Sequence, residues 1–397
     1  MKLSLKLMSL LLCANVFICC SGCNKNSHET LEDSTVVISD CEDIVRSGNY
    51  VYYNYNGVVS RYNLYNGEFS SACMSPICSH YYIDQCPMWD VEYFAFVANH
   101  SLYYTRFNML TDNYRSIMSY NLLDGTTKVL KQYSKEESDA ALPKTDGTYI
   151  YYSCKKLIEN GSAETPENYQ LYLFRQSLEG GEEQLLFAME ETDRLIFVTD
   201  NRFLFLRNSC EIYMTDTTGN QLTLLFSREE CKSITKLQLL DNRLYFLATD
   251  GYYEVAAHGG KVFFQNLLCL DLESGETVKV LDDYVVHYTI DDEQIYYLLY
   301  DLKTLPLSNS KDPGVYVPDY TWRSCDINGD HIKALFTHDN ILYTDSCRVI
   351  DGMLYSTIKY YDEKKETKSD GIFVAVNVQN GSITEIGNIS STLHPEE

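Results

Sequence analysis

The sequence predicts an all-β fold: a single β-propeller of about seven blades, with six or eight as the neighbouring counts. Three observations predict it. A strand-and-turn unit recurs along the chain, tyrosine is abundant (34 of 397 residues), and there are only 8 prolines and no low-complexity run. Tyrosine favours half-buried sheet faces. Units of about 50 residues with several short strands each are the mark of propeller blades, because one small sheet cannot cover both of its faces and stacked sheets cover one another.

The first recurring element is an apolar strand ending in Asn, Asp or Ser followed by glycine. It reads Tyr62-Asn63-Leu64-Tyr65-Asn66-Gly67 and returns at Tyr120–Gly125, Leu270–Gly275 and Val376–Gly381, with weaker copies ending at Gly181, Gly219 and Gly329. Glycine accepts the positive φ that such a hairpin needs. Ahead of each copy comes a turn and an aromatic strand, as in Tyr50-Val51-Tyr52-Tyr53, Tyr149-Ile150-Tyr151-Tyr152 and Arg243-Leu244-Tyr245-Phe246. Runs this apolar read as strands covered on both faces. After each glycine comes a half-polar strand, such as Thr127–Leu130 or Thr277–Leu281, suited to the outer edge of a small sheet. The units fill the chain between about Gly48 and Ile386. Thr35-Val36-Val37-Ile38-Ser39 is expected to pair with the last blade and latch the ring.

The N-terminus carries a different message. Lys2 and Lys6 precede an apolar run from Leu7 to Cys20, then Ser21-Gly22-Cys23. Charge, a short apolar stretch and small residues at a cleavage point make a secretory signal over residues 1–22. The stretch Cys20-Ser21-Gly22-Cys23 resembles the lipobox of bacterial lipoproteins, apart from Cys20, where that family usually has leucine. The resemblance implies that Cys23 is lipidated and becomes the first mature residue; ordinary cleavage and release is the alternative. Residues 23–39 read as a polar tether and 40–397 as the propeller. Membrane attachment would run through the lipid, with the body on the extracytoplasmic side of the cell membrane.

Charge narrows the partners. The formal net charge is −24, and loss of Lys2 and Lys6 with the signal makes it −24 − 2 = −26. Such a body repels nucleic acid and anionic headgroups. No Gly-x-Ser-x-Gly elbow, His-Glu-x-x-His pair or phosphate-binding glycine loop occurs, so no catalytic residue is assigned.

The sharpest local feature is Cys73-Met74-Ser75-Pro76-Ile77-Cys78-Ser79-His80, followed by Cys86-Pro87, in an inserted loop over 73–88. Thiolate and imidazole are the preferred ligands of zinc, so Cys73, Cys78, His80 and Cys86 form a candidate closed structural site. Disulfides are the other reading, with Cys41 as a possible fourth thiol. No other cofactor is called for. Asp326, Asn328 and Asp330 imitate the start of a calcium loop, but Thr337 stands where its bidentate glutamate belongs, and turn chemistry is the better reading. Asp282-Asp283 and Asp291-Asp292 read as solvated turn residues. The stretches Met109–Arg115, Glu254–Gln265 and Leu305–Pro318 interrupt the blade rhythm; in a propeller such insertions gather on one face and build a binding surface.

The repeated units resemble TolB-like propeller repeats over about 45–390, as in Cys325-Asp326-Ile327-Asn328-Gly329-Asp330-His331-Ile332-Lys333-Ala334-Leu335. Lipobox and Tyr-Tyr strands together resemble a group of propeller lipoproteins of Gram-positive anaerobes. These resemblances imply fold and location. TolB itself binds protein partners, so the likeness implies a binding or scaffolding role towards a protein or glycan; a propeller hydrolase or lyase acting on envelope glycan or peptide is the alternative.

Overall fold

A computed structural model describes residues 38–39, 43–75, 78, 86–107, 115–134, 137–139, 142–158, 169–199, 202–255, 260–300, 320–339, 341–360 and 371–388. Val37–Glu397 forms one compact unit. The signal, the Cys23 lipidation site and the tether up to residue 37 lie outside the described residues.

Among the described residues there is no helix, and the strands form seven antiparallel sheets in chain order. Blade one holds β2 (Ile44–Ser47), β3 (Tyr50–Tyr55), β4 (Val58–Asn63) and β5 (Phe69–Ser71). Blade two holds β6 (Val91–Ala98), β7 (Ser101–Phe107), β8 (Arg115–Asn121) and β9 (Thr127–Gln132). In blade three, β10 (Glu137–Asp139) and β11 (Lys144–Thr145) share one edge of β12 (Tyr149–Leu157), which leads to β13 (Tyr169–Ser177) and β14 (Gln184–Met189). Blade four is β15 (Arg194–Thr199), β16 (Arg202–Arg207), β17 (Glu211–Asp216) and β18 (Thr223–Phe226). Blade five is β19 (Ser233–Leu240), β20 (Arg243–Val255), β21 (Gly260–Asp271) and β22 (Thr277–Lys279). Blade six is β23 (His287–Asp291), β24 (Gln294–Tyr300), β25 (Tyr320–Asp326) and β26 (Lys333–His338). Blade seven is β27 (Ile341–Ile350), β28 (Met353–Tyr360), β29 (Ile372–Asn377) and β30 (Ile383–Asn388). The chain is a seven-bladed β-propeller, as its repeats predict.

What holds it is one apolar core per seam. Seven separate clusters of buried side chains occur, each joining two successive blades, and the seventh joins blade seven back to blade one. The aromatic strands make this possible. Successive side chains point to opposite faces of a strand, so Tyr52 packs into the seam with blade two while Tyr53 packs into the seam with blade seven. Both are buried, at 3% and 2% exposure. The innermost strands β2 and β27 also touch, which completes the circle.

The expected latch differs. β1 (Ile38–Ser39) pairs with β19 in blade five, Ile38 opposite Leu239 and Ser39 opposite Gln238, and not with the last blade. Blade seven draws all four strands from the C-terminal chain and needs no lent strand. β1 adds a fifth strand to blade five, at the edge formed by β19. The last two residues of the expected tether are thus sheet.

Candidate functional site: the face that carries the long connections

In a four-stranded antiparallel blade the connections alternate between two faces. First-to-second and third-to-fourth connections share one face; second-to-third connections and the crossings between blades share the other. The first face has only tight turns, such as 48–49, 99–100, 241–242 and 351–352, and the glycine hairpins, such as 64–68, 122–126 and 272–276. Every connection of seven or more residues (72–90, 108–114, 158–168, 280–286, 301–319 and 361–371) starts and ends on the second face. The predicted insertions at 109–115 and 305–318 launch from it.

The third predicted interruption, Glu254–Gln265, is something else. There β20 and β21 run on past their neighbours as one hairpin, with Tyr252 opposite Phe263. Tyr252 and Phe263 are 47% and 48% exposed, with ring centroids 6.3 Å apart. Phe264 packs on Tyr284, itself 43% exposed, at 4.9 Å. Phe263 and Phe264 are successive in β21, so the two ring pairs lie on opposite sides of this hairpin.

Near the same face, at the seam of blades two and three, four charges alternate. Lys131 lies 3.3 Å from Glu137 and 3.1 Å from Glu183; Lys156 lies 3.2 Å from Glu137 and 3.5 Å from Glu183. Tyr152 donates its hydroxyl to Glu183. Burial pushes both carboxyls up, but hydrogen bonds and charge from the two lysines, with the Tyr152 hydroxyl on Glu183, outweigh it and hold them below the ordinary glutamate range. Under this lattice the Cys154 thiol is pushed up to about 12, by burial first and then by the charge of Glu137. It is a poor nucleophile.

The cysteine loop occupies the crossing from blade one to blade two, on the second face. The sulfurs of Cys73, Cys78 and Cys86 all lie within 4.8 Å of one another, and none of the three is in a disulfide. His80, the fourth predicted ligand, lies outside the described residues, as does Cys41. Cys73 and Cys86 are buried, at 6% and 2% exposure, and Cys78 is half-buried. Both blades grip the loop. The Ala72 N–H donates to Val59 O at 3.0 Å, and Val59 N–H to Met88 O at 3.1 Å. From blade two, the Tyr104 hydroxyl donates to Pro87 O at 2.8 Å, and Tyr120 accepts from the Met74 N–H at 2.9 Å while donating to Ala72 O at 3.2 Å. Burial raises the Cys73 and Cys86 thiols above the ordinary cysteine value, so without a bound cation they stay neutral.

The remaining candidates are structural. Cys325 is buried (2% exposed) in the seam of blades five and six, as its apolar place in the repeat predicts. The Asp326 carboxylate accepts from the N–H groups of Asn328 and Asp330, at 2.9 and 3.0 Å, and meets His331 Nδ1 at 2.9 Å. It caps its own turn, as the turn reading has it. Asp282 is solvated, as expected. Asp291 is not: it is half-buried, and burial, then the charges of Asp292 and Asp351, push its carboxyl up to about 6.

No protein-family model and no curated protein matches the sequence. Solved structures do. An oligogalacturonate lyase of Vibrio parahaemolyticus is 11% identical over 84% of this chain and 93% of its own, at a TM-score of 0.53. A puromycin hydrolase is 12% identical over 87% of this chain and 53% of its own, at 0.56. The acylaminoacyl peptidase of Pyrococcus horikoshii is 12% identical over 90% and 53%, at 0.54. The chain spans about half the length of the two hydrolases. At such identities the likeness is one of fold, and it places this chain among the seven-bladed β-propeller proteins.

Proposed function

We propose that this chain is a lipid-anchored extracytoplasmic propeller that binds a protein or glycan partner through the face carrying its long connections. One observation carries the reading: every long connection opens on that face, and the opposite face has only tight turns. The exposed rings of Tyr252 and Phe263 give that face an aromatic platform, the kind of surface that supplies large contact area at low entropic cost. Anchoring rests on the signal and on Cys23, and the TolB-like resemblance of the repeats favours a binding role. The net charge of −24 disfavours nucleic acid as the partner.

Crosslinking the full chain in envelope preparations tests this. A specific partner should be captured by the native chain, lost when Tyr252 and Phe263 are both changed to Ser, and retained with Tyr65→Ser. Tyr65 is 91% exposed in a hairpin on the opposite face. Capture that survives the first change and fails with the second overturns the assignment of the face. The second reading, a hydrolase or lyase acting on envelope glycan or peptide, has the enzyme neighbours on its side; turnover of such material, lost with the same platform substitutions, would favour it.

A further inference from the structure

We infer that Cys73, Cys78 and Cys86 are three ligands of a structural zinc-class ion that clamps the crossing between blades one and two. This inference is independent of what the propeller binds.

Geometry carries it. Tetrahedral coordination with Zn–S bonds of about 2.3 Å places ligand sulfurs about 3.8 Å apart. Three sulfurs mutually within 4.8 Å, none of them in a disulfide, reach that spacing by an inward movement of about 1 Å or less. A disulfide between any two of the three would leave the third outside that bond. Pre-organisation comes from the two blades. Val59 of β4, with Tyr104 of β7 and Tyr120 of β8, holds the backbone at 72–74 and 87–88, so little of the site has to be ordered on binding.

Sulfur ligands select zinc-class ions over hard oxygen-seeking cations. The sequence puts His80 two residues past Cys78 and so supplies a candidate for the fourth place; the inference stands on the three sulfurs. Binding releases the thiol protons to solvent and involves no electron transfer. The ion would tie a long connection of the second face to the seam beneath it, and its binding energy would add to the stability of that seam.

The full chain, purified without chelator or metal-affinity resin, should carry about one zinc ion per molecule. That zinc should be lost in the Cys73→Ser, Cys86→Ser double variant and kept in Cys269→Ser, which alters a buried thiol of blade five. Because the double variant can misfold, cobalt is loaded anaerobically into the native chain as a second readout. A thiolate-to-cobalt charge-transfer band, displaced by one equivalent of zinc, supports the site. A zinc ratio near zero after anaerobic reconstitution, zinc retained by the double variant, absence of the cobalt band, or a disulfide joining any two of the three cysteines in the exported protein overturns it.

Discussion

Changing Phe373 to Ala should open the ring at its closing seam. Phe373 is fully buried and stacks on Tyr53 of blade one, with centroids 4.2 Å apart and planes 8° from parallel; Phe69 and Tyr355 lie within 6.2 Å of it. Truncating a buried phenylalanine costs about 3–5 kcal/mol through lost burial and the cavity left behind. A charged pair across the same seam, Arg46 with Asp351 at 2.8 Å, is 42% and 66% exposed and is worth about 0–1 kcal/mol. Apolar stacking therefore outweighs charge there, and Asp351→Asn should be nearly silent. Urea unfolding followed by tyrosine fluorescence measures both variants, with Leu185→Ala (52% exposed) as the surface control. A loss below about 1 kcal/mol for Phe373→Ala would refute the reasoning, since it is the size of an ordinary surface effect and not of a filled core.

Other consequences follow the same physics. Glu183→Gln should cost about 1–3 kcal/mol at neutral pH, by leaving Lys131 and Lys156 to share one carboxylate. Glu137 and Glu183 sit below their unfolded value of about 4.3, so their contribution is complete above that pH and is lost as pH falls through the depressed folded values; the variant's acid-unfolding limb should be shallower by denaturation at stepped pH. Asp291 has the opposite sign. Its folded value of about 6 lies above the unfolded value of about 3.9, so stability falls as pH rises through that window, and Asp291→Asn should abolish the fall in thermal melts. At Gly329 (φ +89°) an added Cβ would meet Val280 O at 2.0 Å, whereas at Gly275 (φ +72°) it would meet nothing within 4 Å. Gly275→Ala should cost only the left-handed backbone term of about 1–2 kcal/mol, and Gly329→Ala distinctly more, by urea midpoint.

Much of the blade was legible because its physics is local. The second strands are apolar on both faces, as Tyr52 and Tyr53 show, and the third strands end in turns that demand glycine. The innermost strands were not legible. Four of them are interrupted by bulges, between Val91 and Tyr93 and again between Phe94 and Phe96 in β6, Leu195 and Phe197 in β15, Thr235 and Gln238 in β19, and Tyr343 and Cys347 in β27. Each bulge slips the alternation by which a strand is recognised. The partner of Ile38–Ser39 was missed for another reason: two residues carry no register, and which edge lies free is settled by the whole ring.

The candidate site divides in the same way. Cysteine spacing marked the loop at 73–88, but the meeting of the three sulfurs and the grip of Tyr104 and Tyr120 depend on the fold. The lattice of Lys131, Glu137, Lys156 and Glu183 draws on two blades and had no linear signal. Glu254–Gln265 looked like an interruption because blade five simply continues there; the alternation at Tyr252 and Phe263 was the available clue.

Hydrogen exchange at stepped, sub-denaturing urea tests the closed ring most directly. If seven blades shield one another through seven seams, the slowest amides of β3, β7, β12, β16, β20, β24 and β28 should share one opening free energy and one urea dependence. Two or more groups of blades that open at separate urea concentrations would contradict a single ring.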